Sequence, residues 1–254
     1  QRATAPVSLW MIEAIDPQPG HTVLELAAGP GETGFLAAEL IRPGGGRLIS
    51  TDFAEPMVEV ARARAEAMGL RNVELRTMDA ESMDLDTAAV DRVLCRFGFM
   101  LMTDPAAALR ETRRVLRPGG RLALAVWAPA QENPWASIAG RTVRARLGAP
   151  EPDPDAPSMF ALGRPERLND LLHDAGFADV RVEPLDFTQD YESFDDWLRI
   201  TRDVAKPMAD LFDAMDAEAR EATLAEIREA FAPYAGPGGA LAFPARALVA
   251  AAGA

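Results

Sequence analysis

The stretch Glu25-Leu26-Ala27-Ala28-Gly29-Pro30-Gly31-Glu32-Thr33-Gly34 decides how this chain folds. The apolar run Val23–Ala27 leads into it and residues at helical spacing follow, so it reads as a turn between a strand and a helix. Its glycines let the backbone turn sharply and let a ligand approach without a Cβ in the way. The helix beginning there offers backbone N–H groups that have no partner of their own. Gly29-x-Gly31-x-x-Gly34 also has the spacing of the dinucleotide fingerprint. Asp52 closes the next apolar run, where an acid accepts hydrogen bonds from ribose hydroxyls. An adenosine-containing ligand is therefore expected.

Working outward, Val23–Ala27, Arg47–Thr51, Val73–Arg76, Val90–Cys95 and Arg121–Trp127 read as strands. Between them lie helical patterns, with Phe35, Leu36, Leu40 and Ile41 on one face, then Val58, Val60, Ala61 and Ala65, then Ala107, Leu109, Val115 and Leu116. Pro43-Gly44-Gly45-Gly46, Gly69 and Pro118-Gly119-Gly120 end these helices. Strand and helix in alternation mean a parallel sheet with helices on both faces, a doubly wound α/β fold. Later in the chain, Arg164–Ala175 reads as a helix, Val180–Leu185 and Ala242–Ala250 as two more strands, and Ser193–Val204, Lys206–Met215 and Ala217–Phe231 as polar-faced helices. Pro129–Ala161, with Pro150, Pro152, Pro154 and Pro157 close together, reads as a loop. One domain over residues 1–254 is expected, its core at about 20–130 and its caps at about 129–161 and 187–231.

The 254 residues are 48% hydrophobic and 26% charged, the average of a globular protein, with a net charge of −13. That balance opposes a grip on phosphate backbones or on an anionic membrane surface, so neither a nucleic acid nor a membrane is expected as partner. Arg141, Arg144 and Arg146 read as a solvated helix face. The single cysteine, Cys95, excludes a disulfide within the chain and a multi-cysteine zinc site, and with two histidines no metal is expected. No run approaches a membrane span and no signal-like segment opens the chain, so a cytoplasmic monomer or homodimer is the expectation.

Glu25, Ala27, Gly29 and Gly31 place an acid two residues before a small-x-Gly-x-Gly turn. Here the chain resembles the class I S-adenosylmethionine-dependent methyltransferases, in particular the group of the ubiquinone and menaquinone biosynthesis enzymes. Ala27 stands where that family more often has glycine. The resemblance implies a Rossmann-like, mostly parallel seven-stranded sheet with helical cap insertions and a C-terminal antiparallel strand. It also implies S-adenosylmethionine as cofactor, with S-adenosylhomocysteine as product. Glu25 and the turn would lie near the methionine ammonium, Asp52 at the ribose, and Phe53 and Met57 against the adenine. Asp79 and the Ala80 N–H, in Met78-Asp79-Ala80-Glu81, would meet the adenine edge. Cys95-Arg96-Phe97-Gly98-Phe99 resembles the turn lining the transfer cavity, with Arg96 on the cofactor side. Leu116-Arg117-Pro118-Gly119-Gly120-Arg121-Leu122 resembles the lead-in to the fifth strand.

Methyl transfer from a sulfonium needs a nucleophile held in line, so no conspicuous triad is required. His21 and His173 sit at the wrong edge of the sheet to act as bases. Residues leaving the strands at the carboxyl edge are better placed. Phe97, Met100, Trp127, Trp135, Tyr191 and Trp197 are expected to bind a small organic acceptor, and Asp190, Tyr191 and Glu132 are the candidate bases. Two alternatives stay open. An NAD(P)-dependent oxidoreductase fits the glycine spacing and Asp52, but the only lysine, Lys206, forms no Tyr-x-x-x-Lys pair. A non-catalytic cofactor-binding protein fits the same fold.

Overall fold

The structure, a computed structural model, describes residues 3–150 and 156–254. The helix α1 (Ala5–Ile15) opens it, begun by Pro6 and burying Val7, Ser8, Met11 and Ile15 along one face. The alternating core follows: β1 (Thr22–Glu25), α2 (Glu32–Ile41), β2 (Arg47–Asp52), α3 (Glu55–Ala67), β3 (Val73–Thr77), β4 (Val90–Arg96), α4 (Pro105–Val115) and β5 (Leu116–Trp127). Beyond these come α5 (Pro134–Leu147), α6 (Pro165–Asp174), β6 (Ala178–Tyr191), α7 (Phe194–Val204), α8 (Lys206–Ala214), α9 (Ala217–Ala230) and β7 (Leu241–Gly253).

The seven strands form one sheet in the order β3-β2-β1-β4-β5-β7-β6. β1 pairs in parallel with β2 on one side (Thr22 beside Arg47) and with β4 on the other (Val23 beside Arg92). β7 runs antiparallel to β5, Trp127 facing Ala247. The chain therefore winds outward from β1 to β3 and returns to the other side of β1 at β4. Open sheets bind ligands at such a switch point, beyond the carboxyl ends of the strands. Val23, Leu24, Leu48, Val93, Leu94 and Cys95 are fully buried or nearly so, the near-continuous apolar run of strands covered on both faces.

Local chemistry sets the helix starts. The Asp104 side chain accepts from the Ala107 N–H to cap α4, Ser193 from Asp196 to cap α7, and Asp216 from Ala219 to cap α9. The chain divides into two compact units, a larger one of residues 4–128, 155–185 and 247–254 and a smaller one of residues 1–3, 129–154 and 186–246.

Several sequence expectations are corrected here. Pro129–Ala161 contains α5 rather than being a loop: Pro134 sits in its first turn, where a missing N–H costs nothing, and Gly148 ends it in the left-handed conformation. Of that segment's prolines, Pro152 and Pro154 lie outside the described residues. Arg141 and Arg146 are exposed on α5, Arg146 paired with Glu226 of α9 at 3.0 Å. Leu36, Leu40 and Val60, expected to face the core, are 39%, 49% and 47% exposed. Phe35, Ala38 and Ile41, at steps of three, carry α2 into the core instead. β5 begins at Leu116, so that residue is a strand residue, with an irregular pairing to β4 between Val90 and Arg92. β6 extends to Tyr191, which places Phe187, Asp190 and Tyr191 on the strand rather than after it.

Candidate functional site

The turn after β1 is built from its own backbone and braced by its neighbours. Ala27, Gly29 and Gly31 adopt left-handed φ angles of 48°, 52° and 79°. The Ala28 N–H donates to the Thr51 carbonyl (2.9 Å), the Gly31 N–H to the Ala28 carbonyl (2.9 Å), and Arg64 of α3 donates to the Pro30 carbonyl (2.7 Å). An L side chain in that conformation costs about 1 kcal/mol. The Ala27 methyl lies so close to Gly98 that a side chain at 98 would come within 2.5 Å of it. A Cβ built on Gly29 meets nothing within 4 Å, so this face of the turn opens onto space that a ligand can fill.

Glu25 lies beneath the turn, fully buried. Its Oε1 accepts from the Gly34 N–H (2.7 Å) and its Oε2 from the Ser50 hydroxyl (3.2 Å). The carboxyl thus supplies a partner to one of the orphan donors at the start of α2. Burial raises its pKa from 4.5 to about 7, outweighing the two hydrogen bonds and the charge of Arg96. In the unfolded chain the proton leaves near pH 4.5; in the folded chain it stays until about pH 7. Between those values the folded state binds more protons, so stability falls as pH rises, by on the order of 3 kcal/mol in all, and the loss is complete above pH 7. Glu25→Gln keeps an acceptor for Gly34 and removes the titration. Urea unfolding of that variant and the parent at pH 5 and pH 8 is expected to favour the variant by at least about 2 kcal/mol more at pH 8. An equal difference at both pH values contradicts this account of Glu25.

Asp52, at the end of β2, clasps two loops: Oδ2 accepts from the Gly29 N–H (2.8 Å) and Oδ1 from the Ala54 N–H (2.9 Å). Beside it the Phe53 ring is 77% exposed and Met57, in the first turn of α3, 42% exposed. Asp79, past the end of β3, is exposed and accepts from the Glu81 N–H at 2.9 Å, while Ala80 is buried. At the end of β4, Arg96 forks to the Thr4 and Ser8 hydroxyls (2.8 and 3.2 Å) and to Glu32 (2.5 Å), tying α1 to the first turn of α2. Phe97 follows with φ 60° and stacks on Trp127, ring centroids 4.3 Å apart and planes 6° from parallel. Met100 is buried, its carbonyl accepting from the Ser158 N–H. Cys95 is buried as well, and desolvation pushes its thiol up to about 12, so it stays protonated.

All ten residues read from the sequence as cofactor-binding therefore lie in the larger unit, in or just after the carboxyl ends of β1 to β4, and Phe97, Met100 and Trp127 lie in the same unit. His21 stands at the opposite, amino edge, its Nδ1 accepting from the Gln18 N–H. Arg64, Ser50, Glu32, Thr4 and Ser8 support the turn without having been singled out in the sequence. The signal for α1 was present in Pro6 followed by Val7, Met11 and Ile15 at helical spacing.

The other candidates belong to the smaller unit. The Trp197 indole N–H donates to the Trp135 carbonyl (3.0 Å), and that of Trp135 to Asn133 (3.2 Å). Glu132 is paired with Arg246 at 2.8 Å, and Arg246 also binds Asp186. Tyr191 is buried, and desolvation raises its pKa well above the ordinary value, so the phenol keeps its proton. Asp190 is exposed on the opposite face of β6 from Tyr191. Among the described residues no cluster of three or more His, Cys, Asp or Glu is arranged to hold a metal, and no helix is long and apolar enough to cross a membrane.

Residues 23–120 match a protein-family model described as a methyltransferase domain. A ubiquinone/menaquinone biosynthesis C-methyltransferase of Acidiphilium cryptum is 34% identical, over 70% of this chain and 75% of its own length. An uncharacterized transposon protein of Streptomyces fradiae is 43% identical over 45% of this chain, which spans only 32% of that relative. Among solved structures, the YcgJ protein of Bacillus subtilis shares the fold, with a TM-score of 0.66, 22% identity and 97% of each chain covered.

Proposed function

The chain belongs to the methyltransferase family of the ubiquinone/menaquinone biosynthesis enzymes, and on that premise we propose that it is a class I enzyme moving a methyl group from S-adenosylmethionine to a small organic acceptor. The observation that carries the reading is the exposed apolar pair Phe53 and Met57 standing beside Asp52 at the carboxyl end of β2, next to the switch point of the sheet. A flat adenine would cover the two side chains. Asp52 keeps lone pairs for the ribose hydroxyls, and Asp79 with the Ala80 N–H would read the adenine edge. The open side of Gly29 leaves room for the rest of the molecule. Glu25, held under the turn, gives its ammonium group an acid to lie near, and a cation there favours the ionised carboxyl.

Bound in this way, the cofactor supplies a methyl group on a sulfonium, already a strong electrophile. The protein's share is orientation and exclusion of water. The stacked Phe97 and Trp127 make a rigid aromatic wall suited to that, and aromatic faces attract cations. Glu132, spent on Arg246, and Tyr191, held as a neutral phenol, are poor bases, and an acceptor arriving as a phenolate or enolate needs none. We assign residues 129–161 and 187–231 to selection of the acceptor within a single methyltransferase domain. Phe53→Ser tests the adenine assignment. Because the ring is already in solvent, the melting temperature of the ligand-free protein is expected to hold, while the Kd for S-adenosylhomocysteine rises about tenfold, the loss of one stacked face. An unchanged Kd removes Phe53 from the site.

A further inference from the structure

Arg64 stands in the last turn of α3, half-buried, and reaches back 34 residues to donate to the Pro30 carbonyl at 2.7 Å. Its guanidinium carbon lies over the Phe35 ring, 5.8 Å from the centre. Among the described residues no carboxylate pairs with it, although the chain carries a net charge of −13 and Arg62 on the same helix is paired with Glu59. The charge is spent on one peptide group, a charge-assisted bond stronger than that between neutral partners. That peptide, Pro30–Gly31, is held at both ends, its carbonyl by Arg64 and its N–H by the Ala28 carbonyl at 2.9 Å. Gly31 takes φ 79° and ψ 26°, and with no Cβ it adopts either sign of φ, so nothing in the residue itself stops the peptide from turning over. A stiffer residue has no room there, because a Cβ on Gly31 would lie 2.5 Å from the Phe35 ring. The restraint has to come from outside the turn, and Arg64 supplies it.

We infer that Arg64 is a positioning residue for methyl transfer, one that fixes the Pro30–Gly31 peptide so that the turn keeps its shape toward the amino-acid end of the cofactor. This inference rests on the methyl-transfer reading above. Adenine and ribose are assigned there to Phe53, Met57 and Asp52, with which Arg64 makes no hydrogen bond or ring contact. The amino-acid end is assigned to the turn itself, with Glu25 beneath it. Once released, the peptide turns over, breaks its bond to Ala28 and reverses its dipole, and the ammonium and carboxylate of the ligand meet a loop of different shape. The loss of Arg64 therefore falls on one half of the ligand and spares the other. Arg64 acts through Pro30 and touches no reacting atom.

The test titrates two ligands calorimetrically into the full chain: S-adenosylhomocysteine, and 5′-methylthioadenosine, which ends in S–CH3 where the first carries its amino-acid chain. Arg64→Met is expected to raise the Kd for S-adenosylhomocysteine about tenfold and to leave that for methylthioadenosine within about twofold. Arg64→Lys, which keeps a charged donor without the planar fork, falls between the parent and Arg64→Met. Arg64→Met retains an unbranched stem over Phe35, so its melting temperature without ligand is expected to fall by no more than about 4 °C. Equal weakening of both ligands would mark a general loosening and overturns the inference. So does an S-adenosylhomocysteine Kd within about threefold of the parent in Arg64→Met, or a lysine variant as weak as the methionine one. Failure of the parent to bind methylthioadenosine while binding S-adenosylhomocysteine also overturns it, since the nucleoside is then not held independently of the turn. The parent's own affinity for S-adenosylhomocysteine separates the two levels: where it binds, the methyl-transfer reading stands even if Arg64 proves dispensable, and where it does not, both fall.

Discussion

Replacing Gly34 by alanine is expected to cost the chain about 3 kcal/mol or more and to remove nucleotide binding with it. A Cβ at this position would lie 2.1 Å from Glu25 Oε2, 2.6 Å from its carboxyl carbon and 3.0 Å from a methyl of Leu48. None of these neighbours has anywhere to go. Glu25 is buried, with its carboxyl oxygens held by Gly34 and Ser50, and Leu48 is wholly buried in β2. Relief comes only by lifting the first turn of α2 from the sheet, which breaks the Gly34 N–H bond to Glu25 and strands a carboxyl in the core. Overpacking alone costs about 1–3 kcal/mol, and an unpaired buried polar group about as much again. At this chain length the melting temperature should fall by roughly 6–12 °C. A fall of less than 2 °C would mean that α2 and Glu25 are not packed as described.

Asp52→Ala is expected to weaken S-adenosylhomocysteine binding by about a hundredfold or more while costing the ligand-free protein only about 1–2 kcal/mol. The two effects have separate origins. The carboxylate accepts from the Gly29 and Ala54 N–H groups, so its loss loosens the turn, but both groups can turn to water because the site is open. The ribose hydroxyls have no such substitute, and hydrogen bonds to a charged group are worth about 1.5–3 kcal/mol each. Asp52→Asn should fall between, since one amide oxygen cannot serve both backbone donors and the sugar. Calorimetric titration decides the matter, and an Asp52→Ala affinity within threefold of the parent removes Asp52 from the ribose.

The elements that carry the candidate cofactor residues were legible because each has a local cause. Glu25 to Gly34 announces a strand-turn-helix unit by its glycines, and Asp52, Asp79 and Arg96 each follow an apolar run that the parallel sheet aligns at one edge. What lay hidden depends on partners distant in sequence. Nothing near Glu25 says that its carboxyl will be buried against Gly34 and Ser50, or that Arg96 will reach back to Thr4 and Ser8. Two kinds of residue misled. Pro150, Pro152, Pro154 and Pro157, close together, suggested a loop for all of Pro129–Ala161, although Pro134 starts α5 within it. Leu36 and Leu40 repeat at four residues, but Phe35, Ala38 and Ile41 form the stripe that meets the sheet. The extent of β6 was missed for a related reason. Asp186, Thr188 and Asp190 alternating with Phe187, Gln189 and Tyr191 look polar as a whole, and only the strand period separates an outer face from an inner one.

The most direct test of the central claim is the melting temperature of the chain with S-adenosylhomocysteine, NAD and NADP side by side. A ligand at 100 times its Kd adds about 2.7 kcal/mol of stability, a rise of roughly 5–10 °C for a chain of this size. A rise of that order with S-adenosylhomocysteine, and none with NAD or NADP, is the predicted result. A rise with NAD or NADP and none with S-adenosylhomocysteine contradicts it.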